Sequence, residues 1–115
     1  MSATISSPLH VGPRWRATLR QMSKDEAPGA HHAYVDVYRG ETDVRGTVAI
    51  RYGWAGMQPE EQPAAVPTDK PAPEPACNIP IWPGQDLWLE VAGEPSDRVG
   101  GLDCYSGWAV RFVWE

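Results

Sequence analysis

The amino-acid sequence predicts an all-β fold, a single small antiparallel β-sandwich of the Ig-like or jelly-roll type. Twelve prolines and 11 glycines among 115 residues favour many turns over long helices. Several segments alternate apolar and polar residues with a period of two, which is the pattern of half-buried strands. Because no segment carries a capped amphipathic helix pattern, the chain fits a sandwich or barrel best.

Each alternating segment has one apolar face suited to a core. The segments cover residues 14–22, 31–40, 47–54, 86–93 and 108–115. Shorter strands are expected at residues 79–82 and 98–102. We expect the last strand to lie inside a sheet, since a free chain end would not carry several large aromatic side chains. The apolar faces are Trp15, Ala17 and Leu19; Ala33, Val35 and Val37; Val48, Ile50, Tyr52 and Trp54; Leu87, Leu89 and Val91; and Trp108, Val110, Phe112 and Trp114.

Two segments lie outside this pattern. Residues 1–13 are small, polar and interrupted by proline and glycine, and we expect a mobile, extended N-terminal arm ahead of a sandwich domain over residues 14–115. The proline-rich segment 58–85 begins like a polar linker. Its second half carries Ile79, Ile81 and Trp82, and burial of each would stabilise the fold by roughly 1.5–3 kcal/mol. We therefore expect residues 68–85 to form an ordered strap in polyproline II or edge-strand form, with Trp82 beneath it.

Charge and composition exclude several classes of protein. The net charge of −5 argues against a nucleic-acid partner, which would call for a basic patch. The sequence shows no secretory signal and no run of 18 apolar residues, so we expect neither export nor a membrane span. In such a chain, Cys77 and Cys104 are expected to be reduced, buried thiols.

Each candidate catalytic or metal-binding group has a simpler structural explanation. His31 and His32 are adjacent on a strand and point to opposite faces, which suits a metal poorly. The acidic residues Asp97 and Asp103 flank glycines and fit turns. No nucleophile elbow or phosphate-binding loop is present. We therefore expect no enzyme, no cofactor and no metal, with a small hydrolase as the least favoured alternative.

The tryptophans are the most suggestive feature, because there are six of them against one phenylalanine. Trp15, Trp108 and Trp114 are expected in the core. Exposed aromatic side chains can anchor a protein interface or stack on sugar rings. Trp88 points away from the apolar face of its strand, so either the strap, which we prefer, or a partner should cover it. The candidate interface or sugar platform is Trp54, Trp88, Tyr38 and Trp82.

Residues 67–102 contain a series of short motifs: Asp69-Lys70-Pro71, Glu74-Pro75-Ala76, Asn78-Ile79-Pro80, the strand 86–91, Ser96-Asp97 and Gly101-Leu102. In these motifs the segment resembles small Ig-like all-β proteins and domains encoded by bacteriophages and prophages. Members of that group continue with a His-rich turn where this chain has "DCYSGW", so no site is carried over there. The resemblance implies a virus-related structural or adhesive domain and no reaction.

These observations favour a non-enzymatic, virion-associated structural protein that docks on a larger assembly. A capsid decoration protein or a head or tail accessory protein would fit, made in the host cytoplasm and located in the virion. Its expected partners are capsid or tail proteins, with self-association into a homo-oligomer as a further expectation. The alternative is a lectin-like module that binds surface glycans through Trp54, Trp88 and Tyr38.

Overall fold

The computed structural model describes residues 3–23, 25, 31–55, 57 and 64–115. Within them the chain forms ten β-strands and no helix, which confirms the predicted all-β sandwich. Its Ig-like or jelly-roll type stays a prediction. The strands are β1 (Thr4–Ser6), β2 (Trp15–Gln21), β3 (His32–Arg39), β4 (Thr42–Asp43), β5 (Ala49–Trp54), β6 (Ala64–Pro67), β7 (Cys77–Pro80), β8 (Leu87–Val91), β9 (Arg98–Leu102) and β10 (Trp108–Trp114).

The strands form two sheets. Sheet A has the order β1-β9-β8-β5-β6, and all of its pairs are antiparallel. Sheet B has the order β2-β10-β3, and the second edge of β3 pairs first with β7 and then with β4. The pair β3–β10 is parallel. The last strand therefore lies inside sheet B, as the sequence predicts.

The core lies between the sheets and is built from the alternate residues that the sequence pattern selects. Burial alternates along β3 and β8, where every second residue is fully enclosed. Trp15 is completely buried, and its ring packs edge-on against Trp114 with 5.5 Å between centroids. Trp15 and Trp108 are buried as expected, whereas Trp114 is only partly buried and packs against the core from its rim. The largest fully buried side chains are Trp15, Phe112, Ile50, Ile79, Ile81, Leu87, Leu89, Leu102, Val35, Val37, Val91 and Val99.

A partly buried ion pair between Arg14 and Asp97 holds β2 next to the chain that enters β9. The Asp97 carboxylate accepts hydrogen bonds from Arg14 Nε at 2.8 Å and from the Ala17 N–H at 3.0 Å. The backbone N–H of Trp15 donates to the Pro95 carbonyl, and that of Asp97 donates to the Trp15 carbonyl. Burial raises the Asp97 pKa, but the hydrogen bonds that its carboxylate accepts from the Ala17 N–H and from Arg14 outweigh burial and hold the pKa below its ordinary value.

The proline-rich strap is anchored in two places. Cys77–Pro80 pairs with β3 as an edge strand, and Ile79 and Ile81 are buried. Upstream, Arg45 Nη1 donates to the carbonyls of Lys70 and Glu74 at 2.8 and 2.7 Å. This matches the ordered form expected for residues 68–85, while residues 58–63 lie outside the described part of the chain. The strand begins at Cys77, two residues before the predicted start.

The N-terminal arm expected over residues 1–13 is not free of the sandwich in its described part. Thr4–Ser6 pairs with β9 at the edge of sheet A. Residues 7–13 then cross to β2 at the edge of sheet B, where Arg14 exchanges backbone hydrogen bonds with Glu115. Residues 7–13 are therefore a loop joined to a strand at each end. The pairing of β1 satisfies backbone N–H and C=O groups that a free arm would leave to water. The division at residue 13 stays a prediction.

Candidate functional site

The four candidate aromatic residues do not form one platform. Trp54 and Trp82 line the same cleft at one end of the sandwich. Trp88 lies on the outer face of sheet A, since its neighbours Leu87 and Leu89 point into the core. Tyr38 lies on the outer face of sheet B, next to buried Val37. Sequence periodicity could assign each residue to a face of its strand, but it could not say which faces meet.

Trp88 is covered by its own sheet rather than by the strap, so the expectation that the strap covers it is wrong. Its indole lies over Gly53, the residue opposite it on β5. The guanidinium groups of Arg98 and Arg51 lie 4.0 and 5.3 Å from the ring centroid, and both pair with Glu90. These cations occupy the ring face that a sugar would need.

Tyr38 is similarly engaged. The Arg111 guanidinium lies 4.5 Å from its ring centroid. Beside them, the outer face of sheet B has an open groove of about 640 Å³. Asp36, in this groove, accepts from Arg45 and from the Ala76 N–H, so its carboxylate helps to hold the strap. The groove carries both signs of charge and favours no one class of ligand.

The cleft of Trp54 and Trp82 is a smaller concave site, and Trp82 gives it exposed aromatic surface. Its volume is about 250 Å³, and its described lining is uncharged: Tyr52, Trp54, Pro80, Trp82, Gln85 and Leu87. Tyr52 and Trp54 come from the end of β5 and are half-buried. Leu87, which starts β8, is buried below them. The cleft thus forms where sheet A meets the end of the strap.

Trp82 is 64% exposed, so the expectation that it lies beneath the strap is wrong. Its neighbour Ile81 is the residue that points into the core, and the strap is anchored there by the bond from Ile81 N–H to the His31 carbonyl. A turn then presents Trp82: its N–H donates to Gln85 Oε1 at 2.9 Å, and the Gln85 N–H donates back to its carbonyl at 3.0 Å. Gly84 occupies a left-handed position in this turn, with φ of 85°.

A second exposed apolar surface was missed by the sequence analysis. Leu9 and Val11 are fully exposed, and Ile5 of the adjacent strand is 43% exposed. We call these three side chains the N-terminal apolar loop surface. The available signal was two aliphatic residues in a segment without strand or helix periodicity, between Pro8 and Pro13.

His31 and Asp103, two of the candidate residues, contact the backbone near the start of the last strand. Ring nitrogen Nδ1 of His31 lies 2.8 Å from the Cys104 carbonyl oxygen, and Asp103 accepts from the Tyr105 N–H. Both cysteines are buried free thiols, and burial, reinforced by nearby Asp36, raises the pKa of Cys77 to about 12. Within the described ranges, no three potential ligands among His, Cys, Asp and Glu come together to hold a metal ion.

Comparison with known proteins gives no relative for this chain. No family model, no curated protein and no solved structure matches it. Among the residues that the structure describes, no helix has the length and apolar character needed to cross a membrane.

Proposed function

We propose that this protein is a non-enzymatic interaction protein that docks on a larger protein assembly through its N-terminal apolar loop surface. The observation that carries the proposal is the full exposure of Leu9 and Val11, together with the 43% exposure of Ile5 on the strand that leads into the loop. Single exposed apolar residues are ordinary, but aliphatic side chains grouped on one short segment mark an interaction site.

The loop is held at both ends, which suits it to docking. Strand β1 fixes its start, and the backbone exchange between Arg14 and Glu115 fixes its end. Arg14 Nη2 also donates to Ser7 Oγ at 3.3 Å across the loop. Because the ends are already ordered, binding would cost less conformational entropy than it would for a free arm.

The setting we propose is a virion, where the partner is a capsid or tail protein. This setting is supported by the resemblance of residues 67–102 to phage-encoded Ig-like domains. The non-enzymatic character is supported by the structural use of the histidine, thiol and carboxylate groups described above. The aromatic cleft supports a separate binding activity, which is developed in the next subsection.

The experiment is co-sedimentation of the protein with purified particles of the phage that encodes it. The wild-type protein is compared with the double variant Leu9→Ser/Val11→Ser. Tyr105→Ser is the matched control, because Tyr105 is 84% exposed and lies outside the N-terminal loop. Circular dichroism checks that all three proteins are folded.

We expect the wild type and Tyr105→Ser to sediment with the particles, and the double variant to remain in the supernatant. Both replaced side chains are fully exposed in the isolated protein, so the double variant should fold normally. Equal sedimentation of all three proteins would overturn the assignment of the surface. Failure of the wild type to sediment would overturn the proposed setting.

A further inference from the structure

We propose that the cleft between Trp54 and Trp82 binds a neutral sugar ring of a glycan, with Trp82 as the stacking platform. This site is separate from the N-terminal apolar loop surface and goes beyond the docking function. We call it the aromatic cleft, defined by Tyr52, Trp54, Pro80, Trp82, Gln85 and Leu87.

The first argument is the way in which Trp82 is held. An indole that is 64% exposed is uncommon, and here it sits on a turn fixed by two hydrogen bonds to Gln85. The residue before it, Ile81, is 1% exposed and anchors the turn to the core. The exposed ring is therefore supported by ordered chain on both sides and is ready to bind a ligand without rearrangement.

The second argument is the composition of the cleft. Sugars present an apolar C–H face and a rim of hydroxyl groups, and an aromatic ring beside amide groups matches both features. Gln85 uses Oε1 to accept from the Trp82 N–H, so its NH₂ group is directed elsewhere and can donate to a hydroxyl. The partly buried Tyr52 and Trp54 complete the wall.

The third argument is charge and size. No charged side chain is among the described residues that line the cleft, so none of those residues would compensate the charge of an anionic sugar or a phosphate. The volume of about 250 Å³ lies below the usual range for drug-sized ligands and fits one ring rather than a long segment. Neutral glycans are therefore favoured over proline-rich peptides, which need an extended aromatic groove.

The other aromatic candidates cannot take this role. The face of Trp88 is occupied by Arg98 at 4.0 Å, and that of Tyr38 by Arg111 at 4.5 Å. A sugar would have to displace a cation from either ring. The platform expected at Trp54, Trp88 and Tyr38 is thus replaced by one at Trp54 and Trp82.

The test is a titration of the full chain with neutral oligosaccharides, namely cello-, xylo-, manno- and chito-oligomers, followed by calorimetry. A uronic-acid oligomer serves as the anionic control, and a proline-rich peptide represents the competing ligand class. The variants are Trp82→Ala, Trp82→Phe and the control Tyr105→Ala. Trp82→Ala removes the platform, whereas Trp82→Phe retains an aromatic face.

We expect at least one neutral oligosaccharide to bind the wild type and Tyr105→Ala equally. Trp82→Ala should weaken that binding at least about tenfold, and Trp82→Phe should weaken it less. Three outcomes would overturn the proposal: no saturable binding of any neutral glycan, binding that Trp82→Ala leaves unchanged, or preference for the anionic oligomer or the peptide. Unfolding curves of the variants show that each one folds, so a loss of binding is not a loss of structure.

Discussion

Replacement of Ile81 by alanine should destabilise the protein far more than replacement of its neighbour Trp82. Ile81 is 1% exposed, whereas Trp82 is 64% exposed. Truncating Ile81 loses roughly 0.8 kcal/mol for each carbon removed, and the cavity adds to this, so about 2–5 kcal/mol is expected. Trp82→Ala removes a larger side chain, yet it should cost only about 1 kcal/mol or less because most of the ring is already in water.

The assay is urea unfolding followed by far-UV circular dichroism, which does not depend on Trp82 fluorescence. With a slope of about 1–3 kcal/mol per molar urea, Ile81→Ala should lower the unfolding midpoint by about 0.7 M or more. Trp82→Ala should stay close to the wild type. A loss of stability for Trp82→Ala equal to or greater than that for Ile81→Ala would refute the placement of the strap.

Three further substitutions or treatments test other parts of the fold. Gly53→Ala should cost about 1–3 kcal/mol in thermal or urea unfolding, since its Cβ would lie 2.7 Å from Trp88 Cζ2 and 2.9 Å from Met57 Sδ. Gly100→Ala, whose Cβ would have its nearest neighbour at 3.8 Å, should be close to neutral, and equal effects of the two substitutions would contradict the close packing over Gly53. Asp97→Asn should cost about 1.5–3 kcal/mol by weakening the bonds to Arg14 and the Ala17 N–H. The lowered pKa of Asp97 means that its contribution is complete above the unfolded pKa of about 3.9 and is lost as the pH falls through the lower folded pKa. The variant should therefore lose less stability on acidification than the wild type, and parallel pH profiles would contradict this role. Burial raises the pKa of Cys77 to about 12, so this thiol should resist iodoacetamide at mildly alkaline pH until the protein is unfolded. Mass spectrometry of native and urea-treated samples measures the modification. Modification of the thiol in the native protein would contradict its burial.

Much of the sandwich could be predicted because the period-two pattern depends only on which side chains are apolar. The inner faces of β3, β8 and β10 follow directly from it. The short strands β1, β4 and β6 could not be found in this way. They lie at sheet edges with mostly exposed side chains, so backbone pairing defines them and leaves little trace in the sequence.

The site was harder to predict because exposure depends on three-dimensional neighbours. Trp82 and Ile81 are adjacent and both apolar, and only the register of the strap decides which of them faces the core. Trp88 was correctly placed on an outer face, but its cover comes from Arg51 and Arg98 on neighbouring strands. Leu9 and Val11 had no periodic context at all, so their exposure became visible only with the path of the loop.

The most direct test of the docking proposal is to follow the N-terminal loop when the protein meets phage particles. His10→Cys places a thiol between Leu9 and Val11 and leaves both in place, and the buried native cysteines should not compete for a maleimide fluorophore. Glu41→Cys, at an exposed turn after β3, is the matched control. We predict that particles shield the label at residue 10 from iodide quenching and leave the label at residue 41 accessible. Equal accessibility of both labels with and without particles would contradict docking through this loop.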